Sequence, residues 1–282
     1  MKALALSLVL GLSLLPVAGA AADPLPRAKA EDVGFSSEKL GRIGQTLRAD
    51  VERGRIPGAV VIVARKGRIA YYDTVGFRDK SSGAPMPPDA IFRIASMTKP
   101  LVSVATMMLY EEGRLFLSDH VSKYIPELAN RQVGVEKLDP ATNKTVFYTV
   151  PAESEMTIQD LLRHTSGFTY GNRGTLDGAR ILSRKTVEFM TSDHLGTRIA
   201  PGPAYSPGPG YGFGLGFAVR KDTGVAPMIG SAGDYNWGGA FGTGFWVDPK
   251  EELAVVFMAQ APGPIRVHYR QLLKSLVLQA LE

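Results

Sequence analysis

DAIFRIASMTKPLVSVATMMLYEEGRL, residues 89–115, joins a short extended apolar segment to a helical run that is apolar on nearly every side. Such a run, over 97–113 and ended by Gly113, predicts a buried helix rather than a surface one. At its first turn stands SMTK, with Ser96 three residues ahead of Lys99. Residues three apart on a helix are neighbours, so a hydroxyl and an amine meet at the start of a buried element.

Working outward, GAVVIVARKGRIAYYDTVGF offers two β-rich runs, 58–65 and 68–76, separated by Lys66 and Gly67, which predicts a hairpin. The C-terminal third repeats the pattern, with strand-like runs at 211–219, 240–247 and 252–260 and a DPKE turn between the last two. Two amphipathic helices frame them. The first places Leu40, Ile43, Gly44, Leu47 and Val51 on one face and stops at Gly54; the second, from Ile265 to Leu281, aligns Ile265, Tyr269, Leu272, Leu273, Leu276 and Ala280. Strands from both ends of the chain with helices outside them imply an α/β fold, an antiparallel β-sheet flanked by helices. The middle, about 97–200, is expected to be an inserted helical lobe. In it, Thr157 and Asp160 of TIQDLLRHTSG have the spacing of a capping box.

The 282 residues suffice for a sizeable core. The opening MKALALSLVLGLSLLPVAGAA has the lysine, apolar run and small residues of a secretory signal peptide, cut near Ala20 to Ala22. Residues 23–282 are then expected as one exported, periplasmic or secreted bacterial domain without a stable membrane anchor. The absence of cysteine excludes disulfides and thiolate chemistry. A formal charge of +5, reduced to +4 once Lys2 leaves with the signal, is scattered and argues against nucleic-acid binding. His120, His164, His194 and His268 are far apart, so no metal site is expected, and no cofactor is implied.

A serine hydroxyl needs a group to take its proton, and a lysine desolvated in a helix turn can do so as the neutral amine. The helix N-terminus and the Ser96 amide would favour a developing oxyanion. S-x-x-K alone is weak evidence: SSEK at Ser36–Lys39 fits equally and merely opens a polar helix. Context separates them, because only Ser96 follows an extended segment and precedes an apolar helix.

FRIASMTKPLVSVATMMLYEEGRLFLSDHVSKYIPEL resembles the core of the serine β-lactamase and penicillin-binding protein superfamily, in its class C-like branch with the family VIII carboxylesterases. IPGAVVIVARKGRIAYYDTVGFRD, TIQDLLRHTSGFTYG and NWGGAFGTGFWVDPKEELAVVFMAQ are similar to further segments in the same order. The resemblance implies Ser96 as nucleophile and Lys99 as its base partner. It also implies a strand beside the serine carrying Trp237, Gly238 and Gly239, with the Ser96 and Ala240 amides as oxyanion donors. Where β-lactamases and peptidases carry K-T-G, Trp237 puts an apolar wall in place of a cation, which favours neutral esters.

One element departs from the family. Its catalytic tyrosine, expected well downstream of HTSG, has no counterpart, because HTSGFTYGN runs almost directly into RGTLDGARILSRKTVEFM. Part of the helical lobe is therefore expected to be missing, which would expose the 97–113 helix and favour self-association. Tyr170 of YGN, which spells Y-x-N directly after HTSG, is expected to line the substrate pocket or be structural rather than to serve as a compensating base; Tyr235 is expected to face the pocket from a strand and His164 to be structural. The leading expectation is a serine hydrolase acting on small-molecule short-chain esters through an acyl-serine. The alternatives are an impaired or inactive deletion variant serving as a periplasmic ligand- or peptidoglycan-binding protein, and a class C-type β-lactamase or DD-peptidase.

Overall fold

The computed structural model describes residues 25–140, 143–166, 183–196 and 207–282. The expected signal peptide and Tyr170 lie outside them. Strands β1 (Gly58–Arg65), β2 (Arg68–Asp79), β3 (Ala84–Pro85), β6 (Tyr211–Phe213), β7 (Ala218–Arg220), β8 (Tyr235–Gly238), β9 (Gly244–Asp248) and β10 (Leu253–Ala259) form one sheet in the order β3-β2-β1-β10-β9-β8-β7-β6. β4 (Gln132–Asp139) and β5 (Lys144–Pro151) form a separate hairpin. The helices are α1 (Ser37–Glu52), α2 (Thr98–Glu111), α3 (Ile158–Leu162), α4 (Arg184–Met190) and α5 (Ile265–Leu278).

The two ends of the chain meet at the centre of the sheet, where β1 and β10 pair antiparallel from Ala59↔Ala259 to Arg65↔Leu253. Alternation then sorts the faces. Leu253, Val255, Phe257 and Ala259 of β10 point into a core with Ile43 and Leu47 of α1 and Tyr269, Leu273 and Val277 of α5. A second core lies on the opposite face, where Met107 of α2 packs with Leu215, Phe217 and Val219 from the β6–β7 region. Ser36 caps α1 by accepting a hydrogen bond from the Lys39 amide at 3.3 Å, and Thr157 and Asp160 form the reciprocal capping box. The SSEK match is thus a cap and nothing more.

Several expectations are corrected. The 211–219 run is two short strands folded on each other around Gly214–Phe217, with Gly216 at φ +92°, a conformation glycine adopts at little cost. The last strand pair begins at Gly244 rather than 240, so Ala240 lies in the turn after β8. The middle is not wholly helical. Val133 and Val135 of β4, and Val146, Tyr148 and Val150 of β5, alternate in sequence, yet the hairpin is mostly exposed on both faces. The hairpin thus carries a strand-like alternation without burying either face.

Helix α2 also departs from its reading as buried. Thr98, Pro100, Ser103 and Met107 are buried, whereas Leu101, Val102 and Tyr110 are 45%, 43% and 37% exposed. Among the described residues, one face of this helix meets the sheet and the other lacks a full covering.

Because Leu273 is fully buried between α5 and the sheet, Leu273→Ala should cost about 2–5 kcal/mol of stability. Urea denaturation would show it as a lower midpoint at unchanged slope.

Candidate active site

Three segments build the site. The chain enters through Ile94 and turns at Ala95, whose φ of +45° is a left-handed value that a residue with a Cβ adopts only under strain. A single 3-10 turn, Ala95–Met97, carries Ser96 and leads into α2. On the first turn of α2, Lys99 Nζ donates to Ser96 Oγ at 3.2 Å. Both residues are half-buried. Desolvation pushes the Lys99 ammonium below its ordinary pKa of 10.5.

β8 and the turn after it form the second wall. A Cβ at Gly239 would collide with the Ile94 carbonyl and the Thr243 hydroxyl, so only glycine lets the strand end lie against the serine segment. Thr243 Oγ1 donates to that same Ile94 carbonyl at 3.3 Å, tying the turn to the entry of the serine loop. Gly238 faces the other side of the sheet, where a Cβ would collide with the Arg270 guanidinium. Arg270 Nη2 donates to Gly239 O at 2.7 Å and Thr243 O at 3.1 Å. Ala240 is exposed on the turn, and its amide has no acceptor among the described residues.

The third wall is aromatic. His164, at φ +62° after α3, stacks on Phe213 at 4.7 Å between centroids and meets Trp237 edge-on at 5.5 Å. Phe213 and Trp237 are T-shaped at 5.1 Å. Desolvation first, and the Lys99 charge second, push His164 down to about 4, which keeps it neutral at pH 7. The residue as a whole retains solvent exposure, so water at its open side limits the shift while the covered ring sets its direction.

The structure therefore brings together Ser96, Lys99, Trp237 and Gly239. Tyr235 packs on Phe217 at 5.2 Å in the core beneath α2, and burial raises its pKa. Sequence reasoning missed Phe213, Thr243 and Arg270, and gave His164 only a packing role. Arg266, Arg270 and Lys274 recur every four residues along α5. That row reads as a solvated basic face, and only the fold shows Lys274 and most of Arg270 turned inward.

A Beta-lactamase family model matches residues 43–190 and 174–277. The chain belongs to the Beta-lactamase family. Protein Rv1367c of Mycobacterium tuberculosis is 40% identical over 126 residues, 45% of this chain and 30% of that protein. Esterase EstB of Burkholderia gladioli is 37% identical over 147 residues, 51% of this chain and 32% of that protein. The matched region thus spans about a third of each curated relative. Among solved structures, Simvastatin Synthase (LovD) from Aspergillus terreus has a TM-score of 0.68 at 16% identity, covering 87% of this chain and 99% of that one. EstCE1, a hydrolase with promiscuous acyltransferase activity, has 0.60 at 18%, covering 85% and 98%. These likenesses show a β-lactamase/transpeptidase-like fold. No helix among the described residues is long and apolar enough to cross a membrane.

The His164 shift makes a stability prediction. An unfolded histidine titrates near its ordinary value of 6.5 and the folded one near 4. Between those values the unfolded chain binds more protons, so stability contributed at neutral pH is lost as pH falls through this window and no further below it. Wild type should lose more stability than His164→Gln between pH 7 and pH 4.5 in chemical denaturation. Equal losses would sink this account.

Proposed function

We propose that this protein is a serine hydrolase that cleaves small, uncharged carboxylic esters through an acyl-serine. The observation that carries the reading is the 3.2 Å contact of Lys99 Nζ with Ser96 Oγ at the foot of α2, beside the glycine-bearing turn after β8. Ser96 Oγ attacks the ester carbonyl carbon while the neutral Lys99 amine takes the hydroxyl proton. The carbonyl oxygen becomes an oxyanion held by the Ser96 and Ala240 amides. Collapse expels the alkoxide, which takes the proton back from Lys99 and leaves as alcohol. Water then attacks the acyl-serine to release acid and free Ser96.

Membership of the Beta-lactamase family and similarity to an esterase support the reaction class. The family match in two overlapping stretches, meeting at 174–190, is consistent with a lobe shortened around that point. The motif tyrosine of the resemblance would then be lacking, so Lys99 must serve both half-reactions and hydrolysis of the acyl-serine becomes the slow step. Residues 23–282 act in this reading as one exported domain, with Tyr170 lining the pocket beyond the described residues. The exposed face of α2 is a place where two copies would associate.

The substrate class follows from Trp237. Where a cation would hold a carboxylate, the site offers the Trp237, Phe213 and His164 rings, with His164 neutral. An apolar acyl or alkoxy group gains from such a wall, and an anionic one meets no counter-charge there.

Ser96→Ala should abolish both fluorophosphonate labelling, read by intact mass, and hydrolysis of short p-nitrophenyl esters. Lys99→Arg, which keeps the charge but cannot act as a neutral base, should lower the labelling rate roughly 10²–10⁴-fold. In wild type that rate should rise with pH along a limb centred below 10.5, the ordinary lysine value, because burial disfavours the ammonium. Folded wild-type protein that neither labels nor turns over would refute the hydrolase. Labelling followed by accumulation of acyl-enzyme places the deficit in the water step.

Trp237→Lys should shift selectivity towards substrates bearing a carboxylate, measured as the ratio of kcat/KM for a carboxylate-bearing and a neutral ester. An unchanged ratio would remove Trp237 from substrate recognition.

A further inference from the structure

On the face of the sheet away from Ser96, between β8, β9 and α5, lies a cavity of about 60 Å³. Its walls include Asn236, Trp246, Phe257, Arg270, Leu273 and Lys274. A single water needs only about 10–15 Å³ of this kind of space, so the cavity has room for more than one water-sized species.

Donors dominate its polar lining. Trp246 is 6% exposed, and its Nε1–H has no acceptor among the described residues. Arg270 Nε–H is likewise buried without an acceptor, although Nη2 of the same guanidinium holds Gly239 O and Thr243 O. Lys274, 3% exposed, donates to Asp234 Oδ2 at 2.6 Å. Asn236 adds a side-chain amide that can donate as well. Two orphaned donors at one cavity cost on the order of 1–3 kcal/mol each unless something accepts from them.

The local charge has the complementary sign. Arg220, Lys274 and Arg270 lie behind β7–β9 with two fully buried carboxylates, Asp234 and Asp248. Asp234 Oδ2 accepts from Arg220 at 2.8 Å and from Lys274, while its buried Oδ1 has no partner among the described residues. Asp248 is committed to the backbone amides of Ser231, Lys250 and Glu251. Three cations stand against two anions, the neighbouring Arg266 adds further positive charge, and Arg270 has no carboxylate neighbour among the described residues. Burial and the neighbouring Arg266 push the Arg270 pKa down to about 10, with no carboxylate acting on it in the opposite direction. Neither Asp234 nor Asp248 lines the cavity.

We infer that this cavity binds one small monovalent inorganic anion of the chloride class, accepting from Trp246 Nε1 and Arg270 Nε beside the Lys274 ammonium. The anion neutralises the surplus charge and satisfies both orphaned donors. It also fixes the guanidinium whose other nitrogen holds the turn carrying Gly239 and Ala240. The site is thus a support for that turn from behind the sheet, sharing only Trp237 with the ring wall near Ser96.

Thermal unfolding of the folded protein in sodium gluconate, chloride and bromide at one ionic strength tests this without any reliance on ester turnover. An anion that binds only the native state should raise the midpoint by about 3–5 °C once it is tenfold above its dissociation constant. Gluconate, too bulky for the cavity, should give no rise. Bromide should give an anomalous diffraction peak within hydrogen-bonding distance of Trp246 Nε1. Trp246→Phe keeps the ring and removes the N–H, and Arg270→Lys keeps the charge and removes Nε. Each should weaken the halide dependence at least tenfold in concentration. Midpoints equal in all three salts, or a bromide peak only elsewhere, would overturn the proposal and leave the cavity to water. A protein that shows the halide shift but no esterase activity would refute the proposed reaction and leave the anion site standing.

Discussion

The approach of one backbone to another at Gly239 governs the geometry on which everything at this site depends. The sheet can present the end of β8 beside Ser96 only because no Cβ separates Gly239 from the Ile94 carbonyl. Thr243 reinforces the contact from the far side of the turn by donating to the same carbonyl. Arg270 holds the turn from behind through Gly239 O and Thr243 O. Three groups therefore fix a turn that lacks helical or strand pairing of its own, and they do so through main-chain atoms. Gly242, at φ +110° with a Cβ position against the Ala261 backbone, is constrained on the same turn, and any substitution at Gly239 would part the two segments.

That arrangement concentrates unfavourable features in one place. Ala95 and His164 both hold left-handed backbone, Lys99 is desolvated, and Trp237 buries an indole N–H that has no acceptor among the described residues. Each costs stability, of order 1–3 kcal/mol for a strained backbone position or an unmade buried hydrogen bond. They persist because the antiparallel core between β1, β10, α1 and α5 is formed by other residues. The division of labour is spatial: the sheet centre and the α1–α5 face supply stability, and the edge of the sheet facing α2 spends it.

Much of this architecture was legible in the sequence, for reasons that can be named. α1, α5, β1 and β10 combine a strong apolar period with glycine or polar stops, so their pattern and their burial agree. Ser96 and Lys99 stood out because an apolar helix followed them, and the fold places their side chains in contact. What escaped falls into two physical classes. The β4–β5 hairpin has no buried face, and its short alternation lay inside a stretch expected to be a helical lobe. Phe213, Thr243 and Arg270 act through contacts across 149, 31 and 27 residues of chain, or through ring packing, none of which has a local signature. Arg270 and Lys274 are the sharper lesson, since a basic row spaced by four reads as solvated unless the partner surface is known.

The ring stack joins two properties that would otherwise be independent. Packing His164 between Phe213 and Trp237 keeps it uncharged beside Lys99. A charged imidazole there would repel the ammonium, but it would also offer anionic substrates a partner. With His164 neutral, burial is what lowers the Lys99 pKa, towards the free amine that the proposed acyl transfer needs. The same absence of charge leaves the wall apolar. In the proposed reaction, the buried Lys99 amine and the uncharged ring wall are neighbours, so a cation introduced at position 237 would act on both together. A lysine there would pull the Lys99 pKa lower still while offering carboxylates a partner, so this one substitution would act on the base as well as on selectivity.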